Sequence, residues 1–443
     1  MSSVFVARNW KIARRLVMVG VLLVSTASAV VGQHVHDQSP IHYKQADPEN
    51  CVTRLQSRID SGEIALKHDD DFGYLPAVLD ALRVPVSSQA LVFSKTSLQV
   101  TKISPRGPRA IYFNDKVYVG WVQRSNLMEL SAVDPKLGAV FYTLEHTPAE
   151  KPRFSRNTGS CLACHATSHT EYVPGHVVFS VFSDSMGSPI AKAGFSSTDH
   201  SSPFRERWGG WYVTGKHGDQ RHRGNTTMRL FDRADQFDVE KGANLTDLSS
   251  LFKVSRYLSK HSDLVALMVL EHQAMVHNRI TAANYHGRIL AEQTKHKGKK
   301  DKSDESLVAA TRYRLQLAVD QLTDSLLLAR EAELTSPISG TSNFAKEFSS
   351  QGPVDSQGRS LRQLDLQQRL FRHPCSYLIH GEAFDGMPAP TRQMVYKRLW
   401  EILSADEPSR RYRHLTKDRQ QAIIEILRAT KPELAGAWRA SEK

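Results

Sequence analysis

The sequence predicts an α+β fold, with a β-rich central region followed by an α-helical C-terminal region built on a long αα-hairpin. Three observations support this. Between residues 90 and 214, short β-branched and aromatic runs alternate with turn residues. From about Thr246 the apolar spacing changes to the helical period. Two long proline-free segments, Leu264–Glu292 and Glu305–Glu333, then flank a charged loop, His296–Asp304. A length of 443 residues suits two or three domains. The expected division is a leader over 1–29, a β-rich domain with short N-terminal helices over 30–245, and a helical domain over 246–443.

The leader has the layout of a secretory signal. Arg8, Lys11, Arg14 and Arg15 form a positive region, Leu16–Val24 an apolar one, and Ala27-Ser28-Ala29 a small-residue cleavage pattern. The apolar run to Val31 contains Ser25, Thr26 and Ser28 and is short for a bilayer span of about 20 residues. A cleaved signal is therefore expected, rather than a retained anchor. The mature chain should be periplasmic or otherwise extracytoplasmic, with no membrane span after cleavage. The formal charge of +12 becomes +8 once the four basic residues of the leader are removed. That surplus is spread along the chain without a basic stripe interleaved with aromatics, so nucleic acid is not expected as a partner.

The remaining elements follow in order. Val52–Val84 is mainly helical, interrupted by the turn-rich Asp69–Pro76. Strands are expected at Ala90–Phe93, Ala110–Phe113, Val117–Val122 and Ala139–Leu144, separated by Asn114-Asp115 and by Asp134–Gly138. A second hairpin pairs Val177–Phe182 with Ile190–Phe195 around Asp184-Ser185-Met186-Gly187, and Trp211–Thr214 is a further strand. Gly159–Gly175 is irregular and lies between these hairpins. Leu361–Ser404 and Lys417–Thr430 supply the closing helices.

The irregular segment carries the chemistry. Cys161-Leu162-Ala163-Cys164-His165 is C-x-x-C-H, the attachment signature of c-type haem. Two thiols three residues apart on one turn reach the two vinyl groups of a single porphyrin, and the adjacent imidazole lies under the iron as proximal ligand. Half of a zinc site is one alternative, but zinc needs two more ligands, and Cys51 and Cys375 lack paired local spacing. A thiol-redox pair is another, but that motif opens a helix in a βαβ setting that this region lacks. Cys161, Cys164 and His165 are therefore assigned to one covalent haem c. Cys51 and Cys375 are either joined by a long-range disulfide or each buried as a free thiol.

The sixth iron ligand separates an electron carrier from an open-site enzyme. His217 and His222 are the leading candidates, because the glycines beside them let a backbone approach a flat cofactor. His169, His176 and His200 follow the motif more closely in sequence. His272 and His277 lie on the first long helix. Met387-Pro388 looks like the Met-Pro segment that supplies methionine in many small cytochromes c. Arg205, Arg207 and Arg223 are candidates for haem propionates. Trp208, Trp211 and Tyr212 either pack on the porphyrin or belong to the core.

The stretches Pro85–Ser97, Arg207–Gly215 and Arg369–Ile379 resemble a group of exported bacterial proteins that carry one C-x-x-C-H. The resemblance covers most of the mature chain and implies a single-haem c-type cytochrome with no assigned reaction. The motif here is central and framed by strands, so the compact class I cytochrome c fold is not expected. The expected function is single-electron transfer to a periplasmic redox protein. The alternatives are a haem enzyme with an open distal site, acting on peroxide or a nitrogen oxide, and a haem-based sensor.

Overall fold

Branched and aromatic side chains on alternate positions build one large antiparallel sheet. In the computed structural model, which describes residues 35–229, 232–295 and 302–441, this sheet has seven strands. The leader and residues 296–301 of the charged loop lie outside the described residues. The strands are β1 (Ala90–Val92), β2 (Arg109–Phe113), β3 (Val117–Val122), β4 (Leu127–Asp134), β5 (Gly138–Glu145), β6 (Phe154–Asn157) and β9 (Trp211–Tyr212), ordered β6-β5-β4-β3-β2-β1-β9. A separate hairpin joins β7 (Phe179–Val181) to β8 (Phe195–Ser197). β4 and β6 are additions to the strands expected from the sequence. β4 buries Met128, Leu130, Ala132 and Asp134 and leaves Leu127, Glu129, Ser131 and Val133 half-buried, the alternation of a strand whose two faces differ.

Each face of the sheet is covered by helix. On one face Leu91, Tyr112, Val119, Trp121, Leu130 and Tyr142 pack with helices α1 (Cys51–Asp60) and α2 (Leu75–Ala81) through Val52, Leu55, Leu75 and Val78. The other face presents Val92, Phe113, Tyr118 and Trp211 to Leu264, Leu267 and Val276 of a 32-residue helix, Leu264–Lys295. The apolar cluster thus runs across residue 245. Apolar residues at the helical period predict a one-sided apolar stripe on that helix. Instead, between Leu264 and Tyr285 every residue except Met275 and Arg279 is buried, as suits a helix lying between a sheet and further helices.

Taking Leu162–His165 as α3, the long helix is α4 and its partner, Lys302–Leu326, is α5. Arg279 donates to Gln321 at 2.8 Å, and Arg314 acts on His286, so the two helices run antiparallel as a hairpin. α5 ends seven residues before the expected Glu333. Leu328 and Arg330 adopt left-handed backbone (φ 49° and 62°), which turns Leu327 and Leu328 into the core. The closing region is less helical than expected. After α6 (Phe344–Ser349), residues 361–376 form turns, and the breaks at Pro374, Gly381, Gly386 and Pro388 leave only α7 (Glu382–Asp385) and α8 (Ala389–Leu403). α9 (Lys417–Thr430) matches its expected bounds, and α10 (Pro432–Ser441) docks Trp438 by a hydrogen bond to the Tyr396 carbonyl at 2.8 Å. No helix among the described residues is long and apolar enough to cross a membrane.

All four cysteines are free thiols. Cys375 is fully buried in the helical core, and Cys51 opens α1 with its Sγ 3.7 Å from the Lys116 carbonyl. Of the two alternatives for this pair, the structure has the unpaired one.

Gly138 connects the fold to the segment that carries the motif. It closes the Asp134–Gly138 turn at φ 71°, and a Cβ there would lie 2.5 Å from Thr281 Cγ2 and 2.7 Å from the Pro174 carbonyl oxygen. Gly138→Ala is expected to cost about 2–4 kcal/mol, combining left-handed strain with overpacking. Urea midpoints of the two proteins measure this directly.

Candidate functional site

Two thiols on one turn need a local helix, and the end of a strand anchors it. Asn157, the last residue of β6, accepts at Oδ1 from the Gly159 and Cys161 amides at 3.1 and 3.4 Å. Cys161 has helical backbone, and the His165 amide donates to its carbonyl at 3.0 Å, closing the single turn α3. Cys164 is exposed and Cys161 is half-buried. Burial pushes the Cys161 thiol up to about 11, with the Glu129 carboxylate acting in the same direction.

His165 is held by Gly175. Its Nδ1 lies 2.9 Å from the Gly175 carbonyl oxygen, and the Gly175 amide donates back to the His165 carbonyl at 2.8 Å. A carbonyl only accepts, so Nδ1 carries the proton and Nε2 carries the lone pair. Burial lowers the pKa of this imidazole, which keeps it neutral, the form that binds a metal. The ring packs against Phe141 of β5, centroids 4.9 Å apart. The position is glycine for a reason. A Cβ at Gly175 would meet Asn278 Oδ1 at 2.3 Å, and Asn278 clamps the next residue, His176, through both its amide and its carbonyl at 2.8 and 2.7 Å.

The sheet supplies a charged floor. Arg109 on β2 reaches over β3 to pair with Glu129 on β4 at 2.8 Å, and both groups act electrostatically on Cys161 and His165. Gly120 makes the crossing possible, since a Cβ there would lie 2.3 Å from Arg109 Nη2. Ser97 donates to Glu129 at 3.4 Å and brings its neighbour Leu98 to this side. Leu98, Val100, Tyr172, Met186 and Phe195 are five of the ten exposed large apolar side chains among the described residues. His169 lies beside β7 and β8, its ring 5.2 Å from Phe179 and 5.9 Å from Phe195.

The other candidates fall into separate groups. His217 donates from Nδ1 to the Gln220 carbonyl at 2.8 Å and accepts at Nε2 from the Asn244 amide at 2.8 Å, so both nitrogens are committed. His222 accepts at Nδ1 from the Gly224 amide at 3.0 Å and packs against His217 and Trp208, centroids 4.8 and 5.3 Å apart. His200 and His272 share an Nδ1–Nδ1 contact of 3.0 Å, and His272 Nε2 lies 2.9 Å from Ser376 Oγ. His176 Nε2 lies 2.8 Å from Ser131 Oγ, and the ring packs against Tyr118, centroids 4.2 Å apart. Tyr118 in turn contacts His277 Nδ1 at 3.0 Å. Met387 is buried in the helical core.

The arginines divide similarly. Arg207 is buried against Glu271, Arg223 lies 4.5 Å from the Phe182 ring centroid, and Arg205 is 80% exposed. Trp208 and Trp211 belong to the core on the α4 side of the sheet, and Tyr212 to the core on the opposite side. Sequence reasoning missed Arg109, Glu129, Phe141 and Gly175. A glycine inside the strand pattern 117–122 was the available signal, because it marks close approach by another group.

Among the described residues, no three His, Cys, Asp or Glu side chains converge to hold a metal ion. No family model, curated protein or solved structure matches the chain.

Proposed function

We propose that this chain is an exported single-haem c-type cytochrome that passes single electrons to a periplasmic redox partner. The observation that carries the reading is the state of His165 beside two free thiols: Nδ1 is tied to Gly175, and Nε2 is left with its lone pair. The donor set fits haem c. Each thiol would add across one vinyl group, its sulfur bonding to one vinyl carbon and a proton going to the other. Only one nitrogen is needed from the chain on the proximal side. Bound haem supplies a one-electron iron couple.

The chain's own residues would do the rest. Gly175 fixes the tautomer and ring orientation of His165 and raises the basicity of its Nε2. Arg109, paired with Glu129 and with its Nε lacking a hydrogen bond, would offer a guanidinium to a propionate. The exposed Leu98, Val100 and Phe195 would offer apolar contacts to a docking protein. The resemblance to exported single-motif proteins points the same way.

The test is the visible spectrum, oxidised and reduced, of protein made in a periplasm equipped for c-haem maturation. Covalent haem is expected, and Cys161→Ala with Cys164→Ala should abolish it. Haem that stays covalent in that double variant overturns the assignment. His165→Ala should retain covalent haem and lose normal axial ligation. A low-spin spectrum unmoved by carbon monoxide supports the carrier. A high-spin spectrum shifted by carbon monoxide supports an enzyme or sensor instead.

A further inference from the structure

The left-handed turn that ends α5 does more than return the chain to the core. With two other segments it walls a cleft of about 450 Å³, a size typical of small-ligand sites. The walls are 330–333, 368–369 and 410–414, and they contribute five arginines against two glutamates. We propose that this cleft binds a small multivalent oxyanion, a phosphate ester or a polycarboxylate. The site is independent of the haem reading.

The arginines are unusually short of partners. Arg330, Arg410 and Arg413 are exposed and make no ion pair among the described residues, while Arg411 is paired with Asp324 at 2.8 Å. Arg369 is only 7% exposed, yet its Nε is buried without a hydrogen bond and its Nη1 stands 3.7 Å from Glu331, too far for one. Glu331 does not neutralise the group fully. One of its oxygens accepts from the Leu370 amide at 2.7 Å, and the other, which faces Arg369, is buried and accepts no hydrogen bond. Arg419 lies just behind, its guanidinium lowered by burial and by the charge of Arg369.

Like charges brought together beside a partly dehydrated guanidinium raise the energy of the free fold. Nothing in the packing requires it, since three of these arginines are exposed. A bound oxyanion removes the repulsion and satisfies the free donors, and the planar fork of arginine suits both phosphate and carboxylate oxygens. Backbone geometry supports the arrangement. His414 donates from Nε2 to the Leu327 carbonyl at 2.7 Å, and the Leu334 amide donates to the Gln368 carbonyl at 3.0 Å. These bonds fix the three walls relative to one another.

Calorimetric titration of the full chain at constant ionic strength tests this, with pyrophosphate, citrate, inorganic phosphate and acetate as probes. At least one of the first two should bind about tenfold or more tighter than acetate. Preference for pyrophosphate assigns a phosphate ester, and preference for citrate assigns a polycarboxylate. Arg330→Ser combined with Arg410→Ser should weaken that binding about tenfold without lowering the melting temperature, because both side chains are exposed and their removal relieves like-charge repulsion. Arg369→Lys keeps the charge but loses the fork and should weaken binding as well. Equal binding of all four anions overturns the proposal, as does undiminished binding in the folded double variant.

Discussion

Lowering the pH from 7 to 5.5 is expected to remove about 6 kcal/mol of stability, a large part of what a domain possesses. The cause is a set of imidazoles buried in the neutral form. Burial lowers His222 and His277 to about 3 and His200 to about 4, and holds His176 and His272 well below the ordinary value. Their folded pKa values are depressed, so the unfolded chain binds more protons below about 6.5 and stability falls with pH. Each imidazole contributes a little over 1 kcal/mol across this window. His286, His373 and His380, less deeply placed, are lowered to about 4 and act in the same direction. Glu331 and Glu271, both raised to about 7 by burial, act oppositely, since the fold gains their protons as pH falls from 7 towards 4.5. The imidazoles outnumber such carboxyls and set the sign. Urea denaturation at half-unit pH steps measures the slope. A stability that stays flat between pH 7 and 5.5 would show that these rings are not neutral and buried.

The same burial explains why a distal ligand for the proposed haem was hard to choose from the sequence. The chain has 19 histidines, and which of them is free depends on partners far away in sequence. His217 looked available beside its glycines, yet Asn244 and Gln220 occupy both its nitrogens. The C-x-x-C-H motif was legible because its pattern is local: two thiols and an imidazole within five residues on one turn. Its surroundings were not local. Phe141, Glu129 and Arg109 reach the motif through sheet register, with Gly120 facing Glu129 across β3 and β4 and Phe141 facing Asn157 across β5 and β6.

The fold shows the same division. β3 and α9 have strong, uninterrupted patterns and were read at their observed bounds. β4 carries Glu129, Ser131 and Asp134 within one strand, and only its pairing with both neighbours makes it β. The turn that ends α5 contains neither glycine nor proline, so no local signal announced it. Tertiary packing of Leu327 and Leu328 decided that boundary.

Arg207→Met should destabilise the fold by about 3–5 kcal/mol, far more than any other arginine proposed from the sequence for a propionate. Arg207 and Glu271 are 1% and 0% exposed, so removing the cation leaves a carboxyl without its partner in the core. Three acceptors are lost by the guanidinium at once: Glu271, the Ser202 carbonyl at 2.8 Å and the His200 carbonyl at 3.1 Å. Burial pushes the Glu271 carboxyl up, and Arg207 is the main group opposing that. In the variant, Glu271 should therefore take up a proton on folding, so the deficit should shrink as the pH is lowered from 7 towards 5. Arg207→Met with Glu271→Leu is expected to recover most of the loss, because an apolar pair of similar volume escapes the desolvation cost of two ions. Arg205→Ala, at an 80% exposed side chain, should change stability by no more than about 0.5 kcal/mol. Chemical denaturation of the unmodified protein, Arg207→Met, Glu271→Leu and the double variant closes a cycle on the buried pair. Equal losses from Arg207→Met and the double variant would mean that Arg207 acts through its carbonyl contacts, which hold the Ser202–Trp208 segment, rather than through Glu271.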